Sequence, residues 1–225
     1  MKRAYSISFR PSPGPCREPV TKFGGQPVWM QQPQWPLSAS TGEQMKFICQ
    51  IFLYPELFGT VTGKMAYVFM TDLEKQVVPA WDPDLGENAV IIQPGRPPRV
   101  QTQQASIGPT LYEYIEVPGD EFLHPRPCEF LVDVFKRNDP DFIDEVHRSA
   151  MDDRTFESYS REVEGNKFGG TPAFLQEDAM PSSGHLLMQL DSAKIPFYLN
   201  FGDCGVGYVF ISPDGSVGKF LFQSY

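Results

Sequence analysis

The sequence lacks the features that mark several large classes of protein. It contains no run approaching the roughly 18 apolar residues that cross a membrane as a helix, and no apolar stretch of a signal peptide follows its basic start. It has only three histidines and four cysteines, and no two cysteines form a CxxC pair. Isolated cysteines are typical of reduced thiols, so we expect a cytoplasmic protein with no signal peptide and no membrane association.

An excess of basic residues is also absent. The chain carries 28 acidic and 19 basic residues, which gives a net charge of −9. Nucleic-acid binding needs a basic surface, so we expect no direct contact with nucleic acid. The 225 residues, 41% of them hydrophobic, are enough to bury a core without disulfides or a metal.

The negative charge is concentrated in one segment. Residues 112–164 hold 15 acidic and 6 basic residues, whereas the rest of the chain holds 13 of each. Two interpretations are open: a solvated face that keeps the protein soluble, or an acidic docking surface for a basic partner. The docking interpretation assigns partner contacts to Asp139, Asp141, Asp144, Glu145, Asp152, Asp153 and Glu157.

The chain repeats itself. Residues 22–27 (KFGGQP) recur as residues 167–172 (KFGGTP), and three further blocks recur in the same order. The other three pairs are residues 28–31 and 173–176, 46–51 and 185–190, and 66–70 and 207–211. Such ordered similarity indicates an internal duplication.

The repeated blocks are short, rich in β-branched and aromatic residues, and separated by glycine and proline, which is typical of strands. In the middle of the chain we expect two strands, over 111–117 and 129–136, then helices starting at Asp139-Pro140 and near Asp153. We predict a β-rich α+β fold of two similar β-sheet halves with helices in the connection. The predicted parts are an irregular proline-rich leader (1–20) and one domain (21–225), divided into residues 21–78, 79–165 and 166–225.

No constellation of residues indicates an enzyme. Gly24-Gly25 and Gly169-Gly170 lack the pattern of a phosphate-binding loop, and we interpret them as tight turns. Cys204 lies between glycines beside an acid, but no histidine is placed by its spacing to activate it. The set of His124, Cys128 and His147 is interrupted by prolines and does not make a convincing metal site. We therefore expect no catalytic residue, no metal and no cofactor.

Two glutamines occupy matching places in apolar strands of the two halves. Gln50 and Gln189 need hydrogen-bond partners if they are buried. One interpretation is a structural hydrogen bond, either to a neighbouring loop or to the pseudo-symmetric half. The alternative is a groove in which both glutamines read the backbone of a bound peptide, with Trp29 and Phe174 as its walls.

The KFGG-x-P block, the apolar strand ending in glutamine, the second GG-x-P block and residues 201–208 (FGDCGVGY) together resemble the bacterial YwqG-like proteins, a family of unknown function. That family is distantly similar to eukaryotic programmed cell death 2 proteins, which escort a ribosomal protein and carry a zinc finger that this sequence lacks. Family members also occur among proposed immunity proteins of bacterial toxin systems. The resemblance implies a duplicated, β-rich protein-binding scaffold and supplies no catalytic residues.

These observations lead to one functional expectation with two alternatives. We expect a non-enzymatic protein that binds a basic protein, as an immunity-type protein that neutralises a bacterial toxin such as a nuclease. The first alternative is a chaperone for a basic client such as a ribosomal protein. The second is a small-molecule or enzymatic role in a cleft between the halves.

Overall fold

The computed structural model describes residues 1–58, 63–75, 77–181 and 184–225. Strands make up 38% of the chain and helices 11%, which confirms the predicted β-rich class. The strands are β1 (Lys2–Pro11), β2 (Lys22–Gly24), β3 (Trp35–Pro36), β4 (Lys46–Phe52), β5 (Met65–Met70), β6 (Asn88–Gln93), β7 (Thr102–Gln103), β8 (Tyr112–Glu116), β9 (Leu123–Pro127), β10 (Glu129–Asp139), β11 (Lys167–Gly169), β12 (His185–Asp191), β13 (Val206–Ile211) and β14 (Gly218–Gln223). The helices are α1 (Pro55–Phe58), α2 (Glu145–Ser149) and α3 (Asp153–Val163), with a turn of 3-10 helix at Ser192–Lys194.

Ten strands form one antiparallel sheet that curls into a nearly closed barrel. Their order is β14-β13-β12-β11-β1-β10-β2-β4-β5-β6, while β8-β9 and β3-β7 are separate two-stranded sheets. In the described part of the chain, no strand ladder joins the end strands β6 and β14. Contacts near their ends hold this seam together: Lys219 lies 2.6 Å from Asp84, and the Arg96 N–H donates to the Ser216 carbonyl.

The largest hydrophobic cluster fills the barrel interior and includes Phe23, Val68, Phe168 and Val209. Successive side chains of a strand point to opposite faces of the sheet. The neighbouring residues therefore build two smaller clusters on the outside of the barrel. One surrounds Trp35 and Tyr67, and the other surrounds Tyr208 and Phe210. Three buried clusters account for the many short apolar runs in the sequence.

The predicted irregular leader is wrong for residues 2–11, which form β1 in the middle of the sheet. This strand pairs with β10 on one side and with β11 on the other. Its odd-numbered residues Tyr5, Ile7 and Phe9 face the barrel interior, where they contact the main cluster. The prolines that suggested irregular chain begin only at Pro11, the last residue of the strand.

The helix predicted to start at Asp139-Pro140 does not start there. β10 continues through Asp139, and the first helix of this region, α2, begins at Glu145. Asp-Pro is also compatible with the end of a strand, and here the pairing of β10 with β1 outweighs the local capping preference. The second helix, α3, begins at Asp153 as predicted.

The two arms of the sheet, β2-β4-β5-β6 and β11-β12-β13-β14, have matching strand registers. Lys22 lies opposite Gln50, and Lys167 lies opposite Gln189. A register shift then occurs at the same place between the second and third strands of both arms. The recurring sequence blocks thus occupy corresponding positions in the two arms.

The KFGG blocks have a structural role. Their lysines are fully buried and pair with carboxylates at the two ends of β10: Lys22 Nζ lies 2.8 Å from Glu129 Oε2, and Lys167 Nζ lies 2.6 Å from Asp139 Oδ2. Both glycines of each block have positive φ, and a Cβ on the second glycine would overlap the same carboxylate. The glycine pairs are therefore tight turns, as predicted. They also leave room for a buried ion pair.

Buried thiols and phenols should make the fold sensitive to alkali. Burial raises the pKa of Cys49 well above its ordinary value and that of Cys128 to about 12, and it also raises the pKa of Tyr67 and Tyr208. Above a pH of about 9 the unfolded chain releases protons that the native state retains, so the free energy of unfolding falls as pH rises. Each buried thiol contributes about 1.4 kcal/mol per pH unit.

The measurement is chemical denaturation between pH 7 and about 10. Over this range the free energy of unfolding of the double variant Cys49→Ala/Cys128→Ala should fall less than that of the wild-type protein, although its free energy of unfolding at pH 7 is lower. Lys167, whose pKa burial lowers, contributes equally to both proteins and cancels in the comparison. Identical pH slopes for the two proteins would contradict the assignment.

Candidate functional site

One of the seven predicted docking residues is not on the surface. The Asp139 side chain is fully buried, where it pairs with Lys167 and accepts the Thr171 N–H at 3.0 Å. Arg137 Nε lies 2.9 Å from its other oxygen. A carboxylate enclosed in this way cannot touch a partner, so the docking role predicted for Asp139 is wrong. It belongs to the barrel wall because β10 extends further than the sequence pattern indicated.

The other six predicted docking residues lie on or beside α2 and α3. Asp144 and Asp152 cap these helices by accepting backbone N–H groups three residues on. The N–H and ring of His147 lower the pKa of the Asp144 carboxyl, and the hydroxyl and N–H of Thr155 lower the pKa of the Asp152 carboxyl. Asp141 lies 3.2 Å from the terminal amine, and Glu157 pairs with an arginine one turn later. The remaining two, in the first helical turns, are Glu145 and Asp153. Four of the six thus have a hydrogen-bond or ion-pair partner within the protein.

Other acids of the same segment pair with bases from elsewhere in the chain. The pairs are Glu129 with Lys22, Asp133 with Arg10, and Glu164 with Lys194. The charge that is concentrated in the sequence is therefore partly neutralised in the fold. The acidic segment is not one continuous acidic surface.

The two matching glutamines bind the chain's own backbone. Gln50 and Gln189 are both buried, and the side-chain oxygen of each accepts an N–H at 2.8 Å from the segment that covers its own arm. This confirms the interpretation as structural hydrogen bonds. Trp29 packs in one outer cluster and Phe174 in the other. The alternative of a shared peptide groove is wrong, because each arm encloses its own pair.

Cys204 has an unfavourable environment for a nucleophile. Its side chain is exposed, its φ is 45°, and hydrogen bonding to Asp203 together with the charge of that residue raises its pKa. His124 and His147 each pair with a carboxylate close in sequence and contact no thiol. Across the described ranges, no three or more His, Cys, Asp or Glu side chains, Cys128 included, are placed to hold a metal.

A surface feature that the sequence did not reveal is the β8–β9 hairpin, which lies outside the barrel sheet. Three large apolar side chains at its tip are exposed: Phe122 by 76%, Leu123 by 57% and Val117 by 38%. None of them belongs to the hydrophobic clusters formed by the described residues. A two-stranded hairpin is only marginally stable alone, and contiguous exposed apolar groups are typical of interaction sites.

One edge of this hairpin is open. The two prolines of β9 lie opposite Tyr112 and Tyr114, and proline has no N–H to donate, so the ladder hydrogen bonds run through the intervening residues. The backbone groups of Tyr112, Tyr114 and Glu116 therefore point to the other edge of β8. There the Tyr112 carbonyl accepts the Tyr198 N–H at 2.8 Å. No described residue outside the hairpin forms a backbone hydrogen bond with Tyr114 or Glu116.

Three tyrosines and one glutamate form a cluster beside this open edge, which we call the tyrosine cluster. The rings of Tyr112 and Tyr198 stack with centroids 5.5 Å apart, and Tyr114 stands edge-on to both at 5.4 Å. The hydroxyls of Tyr112 and Tyr114 donate to the two carboxylate oxygens of Glu74. Partial desolvation and the charge of Glu74 raise the pKa of Tyr114 and Tyr198, which keeps these phenols protonated.

The tyrosine cluster already contacts one ammonium group. Lys46 Nζ lies 4.8 Å from the ring centroid of Tyr112 and 2.8 Å from Asp72. This arrangement combines a cation–π contact with an ion pair. No lysine, arginine or histidine among the described residues forms an ion pair with Glu74, whose carboxylate accepts hydrogen bonds from the hydroxyls of Tyr112 and Tyr114.

The sequence predicted β8 but missed β9. Residues 117–120 (VPGD) have typical turn chemistry and were the available signal for a hairpin. The prolines at 125 and 127 argued against a strand, since proline is excluded from central strands. β9 tolerates both because they lie on its outer edge, where they also block pairing with other strands.

The chain was compared with known proteins. A family model described as a domain of unknown function (DUF1963) matches residues 66–217, about two thirds of the chain. A comparison with curated proteins found no match. Within the described residues, no helix combines the length and apolarity that crossing a bilayer requires. The matched region contains the hairpin, β10, the helices α2 and α3 and most of the second arm, so the chain belongs to the DUF1963 family.

Proposed function

We propose that this chain is a non-enzymatic protein that binds another protein through the β8–β9 hairpin. The observation that carries the proposal is the apolar tip, where Phe122 and Leu123 are largely exposed and belong to none of the hydrophobic clusters that the described residues form. Burying these two side chains in an interface would remove the two most exposed large apolar side chains of the hairpin from water. Large apolar side chains of this kind dominate the binding energy of protein interfaces.

The charge of the hairpin favours a basic partner. Residues 112–127 carry four acidic residues and one basic residue, a net charge of −3. Glu74 lies beside the base of the hairpin and adds to this field, whereas Asp72 is paired with Lys46. A basic partner would be attracted over a distance of about 10 Å at moderate salt. The acidic interface is therefore smaller than the sequence suggested and lies mainly on the hairpin.

Three predictions from the sequence remain part of this proposal: the internal duplication, the immunity-type role and the cytoplasmic location. The matching registers of the two arms support an internal duplication. The family match is compatible with the resemblance to YwqG-like proteins, which carries the immunity-type role, neutralisation of a bacterial toxin, as the favoured form of the function. All four cysteines are free, which supports a reducing, cytoplasmic location.

The test is affinity capture of a C-terminally tagged protein from its native host at low salt. A single stoichiometric basic partner, with deletion that is harmful only when that partner is present, supports the immunity form. Capture of a newly made ribosomal protein with a growth defect on deletion supports the chaperone form. Failure to capture any protein, combined with a ligand-dependent rise in melting temperature, would replace the proposal with small-molecule binding.

A further inference from the structure

The open edge of β8 and the tyrosine cluster together point to a mode of binding. We infer that β8 accepts an extended segment of the partner as an added strand. The tyrosine cluster, which includes Glu74, then binds a lysine or arginine side chain of that segment. The inference rests on the proposed function, because it takes the hairpin as the docking site. It adds the conformation of the partner segment and the chemistry of the side chain that is recognised.

The backbone of the hairpin selects one edge for strand addition. On β9 two prolines remove donors from the outer edge, which blocks pairing there. On β8 the bridge between Tyr112 and Tyr198 already begins an antiparallel pairing. Beyond this bridge, the edge groups of Tyr114 and Glu116 are placed to continue it. An extended peptide can bind such an edge through main-chain hydrogen bonds, whatever its sequence.

A side chain of the added strand can be recognised because successive side chains of a strand point to opposite faces of the sheet. Alternate residues of an added strand lie on the same face of the sheet as Tyr112 and Tyr114. On that face Glu74 presents a carboxylate that accepts hydrogen bonds from two phenol hydroxyls. A bound cation would be stabilised both by the charge of the carboxylate and by cation–π contact with the tyrosine rings. The contact of Lys46 with the Tyr112 ring shows that the cluster can accommodate an ammonium group.

The probe is a heptapeptide in which lysine alternates with valine or threonine, labelled for fluorescence anisotropy and titrated into the full-length protein at low salt. We expect a Kd below about 1 mM, with the largest amide NMR shifts at Tyr114 and Glu116. Glu74→Gln should weaken binding about tenfold, since a charge-assisted contact is lost. The matched control Glu162→Gln removes the same charge from an exposed position on α3, outside the hairpin, and should change the Kd less than about twofold.

A second peptide, N-methylated at alternate residues, keeps every charge but cannot pair on one edge. It should bind about tenfold more weakly than the parent peptide. Equal effects of Glu74→Gln and Glu162→Gln, an N-methylated peptide that binds as well as its parent, or no binding up to about 1 mM would each overturn the inference. The proposed function has a separate readout: loss of the native partner on substitution of the tip with no effect of Glu74→Gln would retain the docking hairpin and reject strand addition.

Discussion

Replacing Asp139 with alanine is expected to destabilise the protein by about 3–5 kcal/mol, because the substitution leaves Lys167 buried without its counter-ion. Both side chains of this pair are fully inaccessible to water. The measurement is the free energy of unfolding by denaturant at neutral pH. The matched control Asp141→Ala removes an exposed acid two residues away and should cost less than about 0.5 kcal/mol.

The pH dependence of Asp139→Ala identifies the cause of its instability. Burial already lowers the pKa of Lys167 to about 8, against the attraction of Asp139. Without Asp139 the native state holds Lys167 uncharged, while the unfolded chain keeps it protonated up to about pH 10.4. The unfolded state then binds more protons, so between neutrality and about pH 8 the stability of the variant should rise by about 1.4 kcal/mol per pH unit relative to the wild-type protein. Above about pH 8 the wild-type Lys167 also loses its proton in the native state, and the two slopes become equal.

Two outcomes would contradict this account of Asp139. A loss below about 1 kcal/mol would mean that Lys167 finds other compensation and that Asp139 is available for a surface role. A loss with no recovery at higher pH would mean that packing is responsible instead of the unpaired charge. The double variant Asp139→Leu/Lys167→Met should recover most of the stability, since apolar residues of similar size often replace buried ion pairs without cost.

The double substitution Phe122→Ser/Leu123→Ser at the hairpin tip is expected to weaken binding of the captured partner about 100-fold, because two exposed apolar anchors are lost. The same change should alter the free energy of unfolding by less than about 0.5 kcal/mol, since both side chains are largely exposed. Binding is measured by titration of the purified partner, and stability by denaturant unfolding of the free protein.

The control for the tip is Phe156→Ser, which removes an exposed aromatic side chain from α3. It should leave the Kd unchanged within about twofold. Equal losses in the two variants would place the interface on the connecting helices, where the sequence had located it. An unchanged Kd for the tip variant would show that the hairpin tip is not the binding site.

Local patterns predicted most of the strands but not their arrangement. The aromatic and β-branched blocks form β4, β5, β12 and β13, and the turn at 213–216 closes the β13–β14 hairpin as its proline, aspartate and glycine indicate. β1 was missed because its pairing with β10 and β11 is entirely non-local. Asp139 was misplaced for the same reason: the capping preference is local, and the strand partner that overrides it lies more than a hundred residues away.

The candidate site was harder to predict because it depends on exposure. Sequence charge pointed to residues 112–164, which include the proposed docking hairpin, but it could not show which acids would meet bases such as Lys22 and Lys167 in the fold. The hydrophobicity of Phe122 and Leu123 predicts burial, and only the position of β9 outside the barrel shows that they are exposed. Glu74 and the three tyrosines come from three separate segments, so no sequence spacing connects them.

The most direct test of the docking hairpin is site-specific photo-crosslinking in the native host. A photoreactive phenylalanine analogue replaces Phe122 at the hairpin tip in one protein and Phe156 on α3 in a matched control. The account predicts one discrete cross-linked partner from position 122 and none from position 156. No cross-linked partner from position 122, or the same partner at equal yield from both positions, would contradict the assignment of the hairpin as the binding site.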